Sequence, residues 1–160
     1  MILKKIFLVS LFISFIFAVQ ACVDDDVCDK QVTPNLTIAF VDSISKPLTL
    51  DSLYVDKLSS DGKLLQMGIF SKVDSIRVPL NSFSNETKFY FYTNKNADSL
   101  QKDILAVTYN TSQSFVSKAC GFKVSYNDVK YQLLQTYKIK NLSPITNKIE
   151  NESKDLYITY

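Results

Sequence analysis

The chain has 160 residues, 46% of them hydrophobic and 12% aromatic, with three glycines and four prolines. That is apolar material for one packed domain and too much for a disordered chain. The formal charge of +2 is carried by Lys4 and Lys5, because residues 22–160 hold 16 basic and 16 acidic side chains. With no basic stripe or run, attraction to nucleic acid has no source.

Met1 to Lys5 form a short basic start, and residues 6–19 are a run of Ile, Leu, Phe, Val and Ala broken by Ser10 and Ser14. This is the three-part pattern of a secretory signal, ending at Gln20-Ala21-Cys22. The competing reading is a membrane-spanning helix, which needs about 20 apolar residues; this run is shorter. Val19-Gln20-Ala21-Cys22 resembles the lipobox of bacterial lipoproteins, which implies that Cys22 is acylated and becomes the new N-terminus. Gln20 is bulkier and more polar than the residue usual at that place. Several acyl chains on one residue give stable attachment to a bilayer without a further hydrophobic segment. Asp24, Asp25 and Asp26 follow, a cluster that resembles the surface-export signal of Bacteroidetes lipoproteins; its plainer reading is a solvated tether. The expected organisation is a signal peptide over residues 1–21, a lipid-anchored acidic tether over 22–34 and one domain over 35–160.

Three cysteines are present. With Cys22 assigned to lipid, Cys28 and Cys120 remain as a pair, and an oxidising compartment predicts a disulfide between them. The alternative is two free buried thiols. Only six residue steps separate Cys22 from Cys28, so the tether reaches at most about 20 Å.

From residue 36 onward the apolar pattern has period two more often than 3.6. Residues 36–41, 53–55, 63–70, 75–80, 88–93, 104–109, 115–126, 135–140 and 156–160 read as strands, rich in β-branched and aromatic residues. Asn, Asp, Ser, Pro and Gly clusters separate them, and Asp61-Gly62 is the strongest hairpin signal. Residues 129–136 are the one candidate helix. The pattern predicts an all-β fold, an antiparallel β-sandwich that is immunoglobulin-like in general architecture. In residues 88–93 and 156–160 one face is apolar and the other partly tyrosine. An outward Tyr row can stack on sugar rings or simply pack across strands; the absence of Trp favours packing.

Histidine is absent, which removes Ser-His and Cys-His nucleophile pairs and His-containing zinc sites. The cysteines are too few for an all-thiolate zinc site. Glycines at positions 62, 68 and 121 match neither the dinucleotide fingerprint nor the P-loop. The only clustered carboxylates, Asp24 to Asp26, lie on the tether rather than in a calcium loop. A glycosidase-type carboxylate pair stays open, since its members can be far apart in sequence. The expectation is a protein that is not an enzyme and uses no metal or cofactor.

Asp42-Ser43-Ile44, Asp51-Ser52-Leu53, Asp74-Ser75-Ile76 and Asp98-Ser99-Leu100 resemble the Asp-Ser/Thr-apolar sequon for O-glycosylation in Bacteroidetes, which implies glycans on Ser43, Ser52, Ser75 and Ser99. Roughly one such match is expected from composition alone, and Asp-Ser is also what a turn into a strand looks like. Asn-x-Ser/Thr triplets at Asn85 and Asn110 carry no weight in a bacterial chain.

Taken with the lipobox, Cys28, the strand at 36–41 and Val116-Ser117-Lys118-Ala119-Cys120-Gly121-Phe122, the chain resembles a family of uncharacterised Bacteroidetes lipoproteins. The resemblance implies export, the anchor and the Cys28–Cys120 pairing, and no catalytic residue. Lys118 shares the alternation parity of Cys120, which marks a bulge, a change of strand or a basic edge in that segment.

The functional expectation is a non-enzymatic cell-envelope lipoprotein of the outer membrane, surface-exposed or periplasm-facing, acting as an accessory or binding module. Its partners are the membrane, through the lipid anchor, and an envelope protein or glycan, with no nucleic acid. The alternative is a structural or assembly component that pairs through a sheet edge, with residues 156–160 as that edge.

Overall fold

The computed structural model describes Cys28 and residues 33–160. Nine strands form two sheets: β1 (Leu36–Val41), β2 (Leu50–Leu58), β3 (Leu64–Val73), β4 (Ser75–Val78), β5 (Glu86–Tyr92), β6 (Asp103–Ser117), β7 (Gly121–Gln135), β8 (Asn141–Pro144) and β9 (Leu156–Thr159). The four-stranded sheet runs β4-β1-β9-β8 and the five-stranded sheet β3-β2-β5-β6-β7. All pairs are antiparallel except β1 with β9, which are parallel from Ile38↔Leu156 to Val41↔Thr159. The expected β-sandwich is therefore the fold observed.

The core lies between the sheets. Leu36, Ile38 and Phe40 of β1, Ile76 and Val78 of β4, and Leu156 and Ile158 of β9 meet Leu53 and Val55 of β2, Phe89 and Phe91 of β5, and Leu105 and Val107 of β6. These are the alternate positions of each strand, so period two is what buries them. β1 is buried at all six residues, because the loop after it folds back: Leu48 N donates to the Phe40 carbonyl, and Val41 bridges Pro47.

The registers give the sandwich two distinct ends. At one end lie the β1–β2 loop, the β3–β4 turn at Asp74, the β5–β6 connection and the β7–β8 loop. At the other lie the start of β1, the Asp61-Gly62 hairpin, the β6–β7 turn and the long β8–β9 connection. Gly62 adopts a φ of 79° at its turn, as the hairpin signal requires.

Four local expectations are corrected. Residues 115–126 are not one strand but the distal part of the β6–β7 hairpin, with residues 118–120 as its turn and Gly121 at a φ of 68°. That turn also accounts for the parity of Lys118 and Cys120. Residues 129–136 form no helix; β7 continues to Gln135. Beyond it, 136–140 are not a strand. Instead the Tyr137, Lys138 and Ile139 amides donate to the buried Asp103 carboxylate, and three charge-assisted bonds outweigh a weak strand tendency. Lastly, Leu156–Thr159 is no edge: β9 sits between β1 and β8. The edges are β4, β8, β3 and β7, and β8 went unforeseen because its Pro144 is tolerated only at an edge.

A second buried carboxylate, Asp155, anchors the start of β9. It accepts from the Thr37 amide at 2.8 Å, while its own amide donates to the Thr37 carbonyl at 2.9 Å. Burial raises its pKa from 3.8 to about 6, with the Thr37 bond pulling the other way. The folded state thus holds this proton more tightly than the unfolded chain. The resulting stability is complete below pH 3.8 and is lost as pH rises through about 6. Asn at this position keeps an acceptor for Thr37 and carries no charge. Asp155→Asn should therefore gain stability relative to the wild type between about pH 4 and about pH 7, on the order of 2–3 kcal/mol at ~1.4 kcal/mol per unit of pKa separation. Denaturant midpoints across that range measure it, and parallel profiles for the two proteins would contradict the assignment.

Candidate functional site

The first candidate is the outer face of the five-stranded sheet. Tyr54 of β2 lies directly across from Tyr92 of β5, and their rings stack at 5.2 Å and 12°. On the side of β6, Lys102 places its ammonium 4.2 Å from the centroid of the Tyr92 ring and 3.6 Å from Asp56 Oδ2. The Tyr92 hydroxyl donates to the Asp56 carboxylate at 3.1 Å. Burial, and then the Asp56 acceptor, push the Tyr92 phenol up to about 12. Tyr92 thus has Tyr54 of β2 on one side and Lys102, just before β6, on the other, so the Tyr54–Tyr92 pair packs across strands rather than offering open ring faces to a sugar.

The second candidate is a cleft of about 280 Å³ over the four-stranded sheet. Its floor is Ala39 and Val41 of β1, and its walls include Pro47 and Tyr157; Asp74 and Lys154 supply opposite charges. It exists because Ala39 places a small side chain on the outer face while the β1–β2 loop rises beside it. An apolar floor with a few convergent polar groups is the usual form of a small binding site, and this one lies at the small end of the range. Ser45, Pro47 and Asp74 border it from the end that carries the β3–β4 turn, and Ser143, Tyr157 and Lys154 from the side of β8 and β9.

The end with the β3–β4 turn carries all four Asp-Ser triplets. Ser43 lies in the β1–β2 loop, Ser52 in β2, Ser75 at the start of β4 and Ser99 in a single 3-10 turn before β6. Ser43, Ser52 and Ser99 are exposed; Ser75 is half-buried and donates to Asp74 at 2.9 Å. Two of the aspartates shape the local backbone and a third holds its own serine. Asp42 accepts from the Ile44 and Lys46 amides, Asp74 holds Ser75, and Asp98 caps the turn through Leu100 and Gln101. Turn chemistry accounts for the Asp-Ser sequence at those places, and no sequence signal announced that the triplets share one end.

The third candidate is the opposite end. Cys28 and Cys120 form the expected disulfide, with Cα atoms 4.8 Å apart, at the turn of the β6–β7 hairpin. Cys22 and Asp24 to Asp26 lie outside the described residues, as do the signal pattern and most of the tether. Among the described residues no helix is long and apolar enough to cross a membrane.

The disulfide closes a segment of 92 residue steps, worth about 4–5 kcal/mol by the chain-entropy model. Replacing both cysteines by serine should lower the stability of the oxidised protein by up to about that amount. The same loss should follow addition of reductant to the wild type, and an unchanged denaturant midpoint in both cases would refute the stabilising role.

No curated protein and no solved structure matches the chain. A family model does, over residues 46–160, from β8 and β9 back to the β1–β2 loop. On that match, the chain belongs to a family of unknown function, DUF6452.

Proposed function

We propose that this protein is a non-enzymatic lipoprotein of the bacterial cell envelope, held by lipid on Cys22, whose domain acts as an accessory binding module. The observation that carries the reading is the Cys28–Cys120 disulfide. A disulfide of this kind persists in an oxidising compartment, and it leaves one of three cysteines, the one that ends the hydrophobic run, for the anchor. The end of the sandwich remote from that disulfide carries the Asp-Ser serines and the cleft lies over the adjoining four-stranded sheet, so these are the surfaces free to meet a partner or to carry glycans on Ser43, Ser52, Ser75 or Ser99.

Assembly through a sheet edge is the second reading, now on a different strand. β3 is a ten-residue edge with Leu64, Leu65 and Ile69 exposed and Lys72 as its only charge. A long apolar edge is a template for pairing.

Protease treatment of intact cells carrying a C-terminally tagged chain, with a periplasmic marker, tests the first reading. The wild type should fractionate with membranes, and Cys22→Ala should be released into the soluble fraction. Loss of tag with the marker protected places the domain outside the cell; protection until the outer membrane is opened places it in the periplasm. Equal fractionation of both chains would end the lipoprotein reading. For the second reading, Leu65→Lys with Ile69→Lys should leave the fold intact and remove association seen in crosslinking; association that survives both changes is not through β3.

A further inference from the structure

The β6–β7 hairpin runs past the end of the sandwich. β5 ends its pairing with β6 at Glu86↔Thr108, whereas β6 and β7 stay paired to Ser117↔Gly121. At about 3.3 Å per residue the hairpin extends roughly 30 Å beyond β5. It is a supported element: Tyr126 and Ile149 exchange backbone hydrogen bonds at 2.9 and 2.8 Å, and the Val129 amide donates to the Asn147 carbonyl.

The face that this hairpin turns toward the core continues past the core. A bulge between Thr108 and Asn110, with Asp128 at a φ of 53°, switches the inward parity of β7, so that Tyr126, Val124 and Phe122 follow one another on that face. Tyr126 and Val124 are buried; Phe122 is 60% exposed. Its cross-strand partner Phe115 is 62% exposed, and the two rings meet edge to face at 5.7 Å. Most of each ring therefore faces solvent at the far tip, with Phe122 two residues from Cys120 of the disulfide.

We infer that Phe115 and Phe122 form a membrane-contacting tip that enters the interfacial layer of the bilayer holding the chain. This rests on the lipid-anchor reading. Chain length is what selects a bilayer as the occupant: Cys22 is six residue steps from Cys28, at most about 20 Å, and the disulfide fixes Cys28 to the hairpin turn. The anchor thus holds the tip, rather than the end with the Asp-Ser serines, close to the lipid. From residue 104 to residue 127 the chain has no acidic residue and two lysines, Lys118 and Lys123, so the hairpin itself does not repel anionic headgroups. The acidic residues Asp24 to Asp26 belong to the tether, and the contact accordingly depends on the rings rather than on net charge. Apolar rings rimmed by polar residues are suited to such an interface.

The chain contains no tryptophan, so a single introduced one reports its own surroundings. The acylated full-length chain, as Phe122→Trp, Phe115→Trp or Leu100→Trp, is reconstituted into phosphatidylethanolamine–phosphatidylglycerol vesicles with or without brominated acyl chains. Leu100 is 76% exposed and precedes β6 at the opposite end. Both tip variants should shift to shorter emission wavelength on reconstitution and lose intensity with brominated lipid, while Leu100→Trp shows neither. If the protein floats with vesicles and no variant is quenched, the tip inference is overturned and the anchor stands. If the protein carries no acyl chain and does not float, the anchor reading fails and the inference fails with it. A tip shift that grows with protein density and ignores bromination would assign the rings to a second copy of the chain, also overturning the inference.

Discussion

The parallel pairing of β1 with β9 is the constraint on which the rest of the sandwich depends. It brings residues 38–41 against residues 156–159 and makes both strands interior to the four-stranded sheet. Nearly all of the described chain lies between them, so the pairing closes a loop that holds every other strand. Such non-local pairing is entropically expensive to reach and is offset by burial, complete along β1 and on the inner face of β9. The reciprocal Thr37–Asp155 backbone contacts and the Asp155 carboxylate lock its entry point.

Two buried carboxylates do comparable work at opposite ends of the fold. Asp103 gathers three consecutive amides and so converts a stretch with strand character into an ordered loop. Asp155 satisfies one amide of β1 from a position where burial opposes its charge. In each case the carboxylate replaces ladder bonds that the backbone would otherwise lack, since a buried unpaired amide is more costly than the strand preference is favourable.

The topology separates the molecule into an end that carries the disulfide and an end remote from it. The disulfide, the exposed Phe115 and Phe122 pair and the start of β1 share one end; the Asp-Ser serines share the other. Tyr54 and Tyr92 on the outer face of the five-stranded sheet are occupied with each other, with Lys102 and with Asp56. The four-stranded sheet, by contrast, carries the cleft on its outer face.

Much of this architecture was legible in the residues. Period-two alternation located seven of the nine strands, because a side chain's face in a strand follows from its own position; Asp61-Gly62 marked a turn by tolerance of positive φ; and counting cysteines paired Cys28 with Cys120. The chain could not announce that 115–126 folds back on itself, since Phe115 and Phe122 fit either a long strand or two short ones and only the partner strand decides. Nor could it show that Leu156–Thr159 is central, because an alternating strand reads the same at an edge or between neighbours. Burial of Asp103 and Asp155, the cleft above Ala39 and the gathering of four distant serines at one end arise from contacts between segments far apart in sequence. Local propensity carries no information about such contacts, and tertiary structure alone decided them.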